Sequence, residues 1–253
     1  TTEIYTLSLH DALPISPQIW RLIPFLEADG KLQMKIDEWL LKQHQSGKYP
    51  PVLRFYSWSP SAISLGYHQR KYPEDWQNLI WKNKKIDLVR RPTGGRAVLH
   101  DNDLTYAVIT SGLSGSRIEA YKKICEFLIK GWSNLGVNLH YGTAGRGYIN
   151  NPNCFGTATG ADMVTVDGIK LIGSAQLRRG NVILQHGSMR LKSDRELFKK
   201  VFGVDLLDKV VIGEDLEIER IIAVLIDAAK DCFGIDFEEK GFNDDEWEEI
   251  LNN

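Results

Sequence analysis

Apolar positions along the chain recur with two different periods, and the switches between them mark out the elements. A short strand-like run, WRLIPF, begins at Trp20. In KLQMKIDEWLLKQHQSG, Leu32, Ile36, Trp39 and Leu40 stand at i, i+4, i+7 and i+8, the spacing of one helical face, and Gly47 is placed to close that helix in a left-handed conformation. VLRFYSW, AISLGY, IDLVRR, AVLH and LTYAVIT follow, each short, rich in aromatic and β-branched residues, and bounded by Pro, Gly, Asn or Asp, as strands are. The helical period returns in SRIEAYKKICEFLIKGWSNL, where Ile118, Tyr121, Cys125, Leu128 and Trp132 share a face. Beyond an irregular glycine-rich stretch, DMVTV, IKLIGSAQL and VILQHGSMRL are separated by the turn pairs Asp167-Gly168 and Gly180-Asn181, which predicts a meander. LEIERIIAVLIDAAKDCFG is a third helix, with Ile221, Val224, Leu225, Ala228 and Cys232 inward. No internal repeat is visible. Strands interrupted irregularly by helices argue for an α+β fold, a mixed, largely antiparallel sheet flanked by helices, and against regular βαβ units.

Composition narrows the class. With 253 residues, 43% of them hydrophobic, the chain can bury a substantial core, and the expectation is one domain over residues 20–235 followed by a short acidic tail, 236–253. The first sixteen residues, TTEIYTLSLHDALPIS, lack continuity with the rest and resemble translated adapter sequence, so they are expected to be non-native and to add little to the fold. A formal charge of −2 and a pI near 6.3 do not suit a nucleic-acid or membrane-surface partner. Three widely spaced cysteines suit a reducing compartment, with no C-x-x-C or H-E-x-x-H pattern to hold a metal. No apolar run reaches the roughly 20 residues of a membrane span, and no secretory signal is visible, so the expected location is the cytoplasm. One local charge imbalance stands out. Lys82, Lys84, Lys85, Arg90, Arg91 and Arg96 face only Asp87, which describes either a solvated face or a dock for an acidic partner.

Chemistry concentrates in three places. In RRPTGGRAVLHD, Thr93, Gly94 and Gly95 form a strand-to-strand loop whose missing side chains let backbone N–H groups approach a ligand, with Arg91 and Arg96 as cationic donors. A plain β-turn would also explain the glycine pair. It is not a P-loop, because no Gly-Lys-Ser/Thr follows. Cys154 lies in NNPNCFG, where no stripe buries it, and is either a nucleophile or a small hydrophobe beside Phe155. A nucleophilic thiolate needs a nearby cation, for which Lys170 is the candidate. Strand alternation puts Lys170, Ile172, Ser174 and Gln176 on one face of IKLIGSAQL, expected to line the site, and Leu171, Gly173, Ala175 and Leu177 on the other. His186 either orients substrate or satisfies a buried polar contact, the structural role being the expectation. Cys125 and Cys232 read as core residues.

Together, RRPTGGRAVLHDNDLTYAV, NCFG and DGIKLIGSAQLRRGNVILQHGSM follow the order and spacing of the lipoate/octanoate protein ligase and transferase superfamily, which the chain resembles from about Trp20 to Cys232. The resemblance implies the α+β fold shared with biotin protein ligases and class II aminoacyl-tRNA synthetases. Gly-Gly-Arg, where ATP-using lipoate ligases typically read Gly-Gly-Gly, and the Cys-Phe ahead of the Asp-Gly-x-Lys strand make it most similar to the cysteine-dependent octanoyltransferases. TATGADMVTV departs from the usual pattern, in which an aromatic residue and a glutamate precede the strand. What the resemblance implies is an enzyme that carries an octanoyl group from acyl carrier protein, through a Cys154 thioester, to a lysine of a lipoyl domain or of the glycine-cleavage H protein, without metal or cofactor. Cys154 and Lys170 would be catalytic. Arg91, Thr93, Gly94, Gly95, Arg96, His100, Gly173, Ser174, Ala175, Gln176, His186 and Gly187 would bind substrate. An ATP-dependent lipoate ligase and a non-catalytic carrier-binding subunit of a split ligase are the alternatives.

Overall fold

In a computed structural model, residues 17–142, 162–206 and 216–252 are described; residues 1–16 and Cys154 lie outside them. The first half of the chain runs β1 (Gln18–Ala28), α1 (Gly30–Gln45), β2 (Val52–Trp58), β3 (Ala62–Leu65), a 3-10 turn (Glu74–Asn78), β4 (Ile80–Trp81), β5 (Lys84–Lys85), β6 (Asp87–Arg90), β7 (Val98–His100), β8 (Asp103–Ser111) and α2 (Arg117–Asn134). The second half runs β9 (Leu139–Tyr141), β10 (Asp162–Thr165), β11 (Lys170–Arg179), β12 (Val182–Arg190), α3 (Arg195–Phe202), α4 (Ile218–Phe233), β13 (Ile235–Glu239) and α5 (Asp244–Asn252).

Eight strands form one sheet in the order β13-β1-β2-β8-β12-β11-β10-β9. Its two pairings at the β1 end are parallel and the other five antiparallel, so the sheet is mixed and largely antiparallel. A second sheet, β6-β3-β7, stands beside it. The expected meander is β10-β11-β12.

Helices cover both faces of the large sheet, which is why all seven residues of β2 are buried instead of every second one. Leu53 and Phe55 of β2, with Leu104, Tyr106 and Val108 of β8, face α2 and α4. Val52, Tyr56 and Trp58, with Ala107 and Ile109, face α1 and α5. Helix α1 begins at Asp29, whose carboxylate accepts the Leu32 N–H at 2.9 Å, and α2 begins with a Ser116/Glu119 capping box. The stripes expected for α1, α2 and α4 are largely inward, with Leu32, Val224 and Cys232 at the partly buried edge. Ile118 is the departure: at 67% exposed it lies in the first turn of α2, ahead of Ala120, where contact with the core begins. No helix among the described residues is long and apolar enough to cross a membrane.

Residues 236–252, expected as an acidic tail, are part of the packed structure. β13 pairs in parallel with β1, from Gln18↔Ile235 to Leu22↔Glu239. α5 brings Phe242, Trp247 and Ile250 to the α1 side of the core. Its acidic run conceals one inward carboxylate: Glu246 is buried in an ion pair with Arg21 at 2.8 Å. Burial works against that charge, but hydrogen bonds from Arg21, Tyr49 and the Asn243 N–H outweigh it and hold the Glu246 carboxyl at about 2.

Candidate active site

A cavity opens between the two sheets on the α1 side. Its wall includes Met34 of α1, Tyr56 and Trp58 of β2, Ser64 of β3, Arg91 and Gly95 of the glycine loop, His100 of β7, and Gly173, Ala175, His186 and Ser188 from β11 and β12. The small residues Gly173, Ser174 and Ala175 of β11 leave the space.

Arg91 is the scaffold of the glycine loop. Its guanidinium donates to the carbonyls of Ser64 (2.7 Å), Gly94 (2.9 Å) and Arg96 (2.7 Å) and to Ser64 Oγ (3.1 Å). A trans peptide points its carbonyl and its N–H in opposite directions, so the pull on the Gly94 carbonyl turns the Gly95 N–H away from Arg91. Gly95 itself takes φ +99°, and a Cβ on Gly66 would run into its carbonyl, which explains the glycines at both positions. Arg90 is also turned inward, donating to the carbonyls of Gly66 (2.7 Å) and Gln69 (2.8 Å). The basic stretch is therefore partly a loop clamp: Lys82 pairs with Asp194 at 2.8 Å, and Lys84 and Lys85 are exposed.

Two buried lines of polar side chains end at this cavity. In the first, Arg54 pairs with Asp37 Oδ1 at 3.0 Å, Tyr56 donates to Asp37 Oδ2 at 3.1 Å, and His186 Nδ1–H donates to the same oxygen at 2.8 Å. A carboxylate only accepts, which assigns the Nδ1 proton and leaves Nε2 to accept from Thr93 Oγ1 at 2.6 Å. Arg54 also bonds the Gln33 side chain. In the second, His100 Nδ1–H donates to Asp103 Oδ2 at 2.8 Å and its Nε2 accepts from Ser64 Oγ at 2.8 Å, while Ser188 and Thr105 also donate to Asp103. The His100 ring stacks on Trp58 with centroids 3.9 Å apart. Burial pushes the His100 pKa down, and the nearby Arg91 adds to this against the opposing pull of Asp103. Both imidazoles are thus held in one orientation with Nε2 toward a hydroxyl.

Lys170 comes to lie against Gly173 of the cavity wall through a break in strand alternation. β10 pairs with β11 as Met163↔Ile172 and then Val164↔Lys170, leaving Leu171 as an extra residue. The bulge reverses the facing of Lys170 relative to a regular strand and brings it to the side of Gly173 instead of Ser174. A Cβ on Gly173 would lie 3.0 Å from Lys170 Cε and 3.2 Å from Nζ. Lys170 is 4% exposed and paired with Asp162 at 2.7 Å. The side chains of the expected polar face of β11 bond toward the α2 side, although Ser174 still borders the cavity: Ser174 Oγ accepts from Tyr106 at 2.9 Å, and Gln176 donates to Gln185 at 3.0 Å. Alternation could not foresee the reversal because it counts a bulge residue as an ordinary one.

Of the expected substrate-binding residues, Arg91, Gly95, His100, Gly173, Ser174, Ala175, His186 and Gly187 border the cavity. Thr93 joins through His186, and Gly94 and Arg96 join through Arg91. Gln176 is directed elsewhere. Sequence reasoning missed Asp37, Arg54, Ser64, Asp103 and Asp162. Two of these carried a signal: Asp37 interrupts the inward stripe of α1 beside Ile36, and Arg54 is the one charged residue of β2, in an otherwise apolar or aromatic run from Val52 to Tyr56, where a charge is almost never buried without a partner. No group of three or more His, Cys, Asp or Glu among the described residues could hold a metal ion.

A mixed sheet with this cavity at its glycine loop defines a protein of the lipoate/biotin protein ligase fold. Residues 29–244 match the family model described as the lipoyl protein ligase A/B catalytic domain, and the chain belongs to that family. It is 41% identical over 190 residues to octanoyltransferase LipM of Kyrpidia tusciae, covering 71% of this chain and 68% of that protein. To octanoyltransferase LipM of Bacillus subtilis it is 38% identical over 211 residues, covering 79% and 74%. Among solved structures, the bipartite lipoate protein ligase from Thermoplasma acidophilum, described with its E2 lipoyl domain, superposes with a TM-score of 0.73 at 24% identity over 93% of this chain and 91% of that one. A lipoate-protein ligase A bound with ATP superposes with a TM-score of 0.75, also at 24% identity, over 93% and 94%. The chain is an acyltransferase enzyme of this family.

Proposed function

We propose that the enzyme moves an octanoyl group from octanoyl-acyl carrier protein, through a thioester on Cys154, to the ε-amine of a lysine on a lipoyl domain or on the glycine-cleavage H protein. The observation that carries this reading is Lys170, buried against Gly173 in the cavity wall and tied to Asp162. The Gly142 N–H donates to the Asp162 carbonyl at 2.9 Å, so the two described residues that bracket 143–161, the stretch containing Cys154, meet at the residue whose carboxylate holds Lys170. A cation there favours the Cys154 thiolate and the carbonyl oxygen of a bound thioester as it gains negative charge. The Gly95 N–H, turned from Arg91, is a second donor for that oxygen.

In the first half-reaction the sulfur attacks the carrier thioester and the carrier thiol leaves. In the second, the acceptor amine attacks the enzyme thioester, forming an amide and regenerating the thiol. No ATP is required, because a thioester is already activated. The octanoyltransferase names of the relatives support this over an ATP-dependent ligase.

Intact-protein mass after mixing with octanoyl-acyl carrier protein tests the reading. The wild-type chain should gain one octanoyl group, removable by hydroxylamine, without ATP, and Cys154→Ser should gain none. Lipoate-dependent pyrophosphate release from ATP, with no octanoyl adduct, would overturn it in favour of the ligase.

A further inference from the structure

The second half-reaction has a proton requirement that the first does not. Exchange of one thioester for another returns a thiol for a thiol. The acceptor lysine, by contrast, arrives as an ammonium, with a pKa of about 10.4, and must lose a proton before its nitrogen can attack. Lys170 is committed to Asp162 and to the acyl carbonyl. On the transfer reading above, the site therefore needs a separate acceptor for this proton.

We propose that the line Asp37–His186–Thr93 is that acceptor. His186 lies on β12 directly opposite Ala175 of β11, one step along the same face from the Gly173–Lys170 contact, and it borders the cavity. Its Nδ1–H is fixed on Asp37, so the open lone pair of Nε2 is directed at Thr93 Oγ1, two residues before Gly95 in the glycine loop. Arg54 and Tyr56 lock the Asp37 carboxylate from β2, which keeps the imidazole from turning. The line thus runs from a buried carboxylate, through a ring that borders the cavity, to a buried hydroxyl of the glycine loop, whose Gly95 also borders the cavity. His100 is the less suitable histidine: its Ser64 partner already accepts from the Arg91 guanidinium, a fixed positive charge beside any proton it would take.

The step balances. One N–H bond of the ammonium breaks as its proton passes to Thr93 Oγ1, and the Thr93 proton moves to His186 Nε2. The imidazolium so formed is stabilised by Asp37. The freed amine attacks the thioester carbonyl. As the C–S bond breaks, a second proton from nitrogen goes to the Cys154 sulfur, giving amide and thiol, and the imidazolium releases its proton to solvent.

The test uses isolated octanoyl-enzyme and two nucleophiles: the lipoyl-domain lysine, which needs deprotonation, and hydroxylamine, which is uncharged at neutral pH and does not. His186→Gln should still form the acyl-enzyme. Its discharge to the lipoyl domain should fall by roughly 100-fold or more, the usual effect of a lost general base, with discharge by hydroxylamine within a few-fold of wild type. An equal fall for both nucleophiles, or a fall for neither, would overturn the proposal. Thr93→Val removes the hydroxyl while leaving Asp37 and His186 in place, so it should give the same split even if His186→Gln does not fold; absence of the split there is equally fatal. Failure of the wild-type chain to form an octanoyl adduct would instead remove the transfer reading on which the proposal rests.

Discussion

On the face of the large sheet covered by α2 and α4, the buried polar groups are neutral. Tyr106 donates to Ser174, Gln185 donates to Tyr106 (3.1 Å) and to the Cys125 sulfur (3.3 Å), and Gln176 donates to Gln185. Burial pushes the Cys125 thiol up to about 12 and Tyr106 well above its ordinary value, so both stay protonated. On the face covered by α1 and α5, the buried groups carry charge: Arg54 with Asp37, Asp103 with His100, and Arg21 with Glu246. A charge withdrawn from water costs several kcal/mol unless paired. The cavity opens on this costly side, where fixed charges and oriented hydrogen bonds can act on a reacting group without first reorganising water. The neutral side supplies apolar burial, and its polar cluster has only to satisfy itself.

The largest effect that should separate the two faces comes from Arg54→Met, which leaves Asp37 as a buried charge without its guanidinium partner. It should cost about 3–5 kcal/mol and lower Tm by roughly 10 °C. Gln185→Leu on the opposite face removes neutral hydrogen bonds only, and should cost on the order of 1 kcal/mol. Urea unfolding of both variants measures the difference. Equal losses would mean that the cavity face does not depend on its charges in the way described.

Acid should also act on the charged face. Glu246 is held at about 2 in the folded chain against an ordinary value of 4.5. Its folded pKa is the lower one, so its contribution is complete above about pH 4.5 and is lost as the pH falls toward 2. The full difference is on the order of 3 kcal/mol, with roughly 2 kcal/mol gone by pH 3. Stability measured at pH 5, 4 and 3 should fall less steeply in Glu246→Gln than in wild type. Parallel slopes would show that the Arg21–Glu246 pair is not what acid breaks.

What the sequence made legible divides along the same line. Periodicity identifies α1, α2, α4 and the β10-β11-β12 meander because those elements bury continuous apolar stripes, and it places Cys125 correctly in the core of the neutral face. It singles out the glycine loop, whose Gly95 borders the cavity, but does not reveal that Arg91 shapes that loop from within. The charged face is harder to read, because pairing between buried charges is non-local: Asp37 finds His186 149 positions away, and Arg21 finds Glu246 225 away. Each partner alone resembles a surface residue. The acidic run of α5 looked like a tail for that reason, and Lys170 was assigned to the wrong face of β11 because the bulge at Leu171 leaves no local mark in the residue pattern.

The smallest effect is expected at Cys125, and it sharpens the comparison by doing little. Its pKa of about 12 leaves roughly one thiol in 10⁴ ionised at pH 8, and α2 packed against α4 encloses it, so neither charge nor access favours alkylation. Iodoacetamide applied to the native enzyme at pH 8 should therefore spare Cys125, with peptide mass mapping as the readout. Cys125→Ser keeps an acceptor for the Gln185 amide and replaces sulfur by a smaller, more polar atom, a change worth about 1 kcal/mol in a site already hydrogen-bonded. Octanoyl-enzyme formation should stay within two-fold of wild type, by the general expectation that a group remote from the reacting atoms contributes little to the transition state. Rapid labelling of Cys125, or loss of the acyl adduct in Cys125→Ser, would mean that the α2 face reaches the reaction and that the division between a neutral and a charged face is not the one that organises this enzyme.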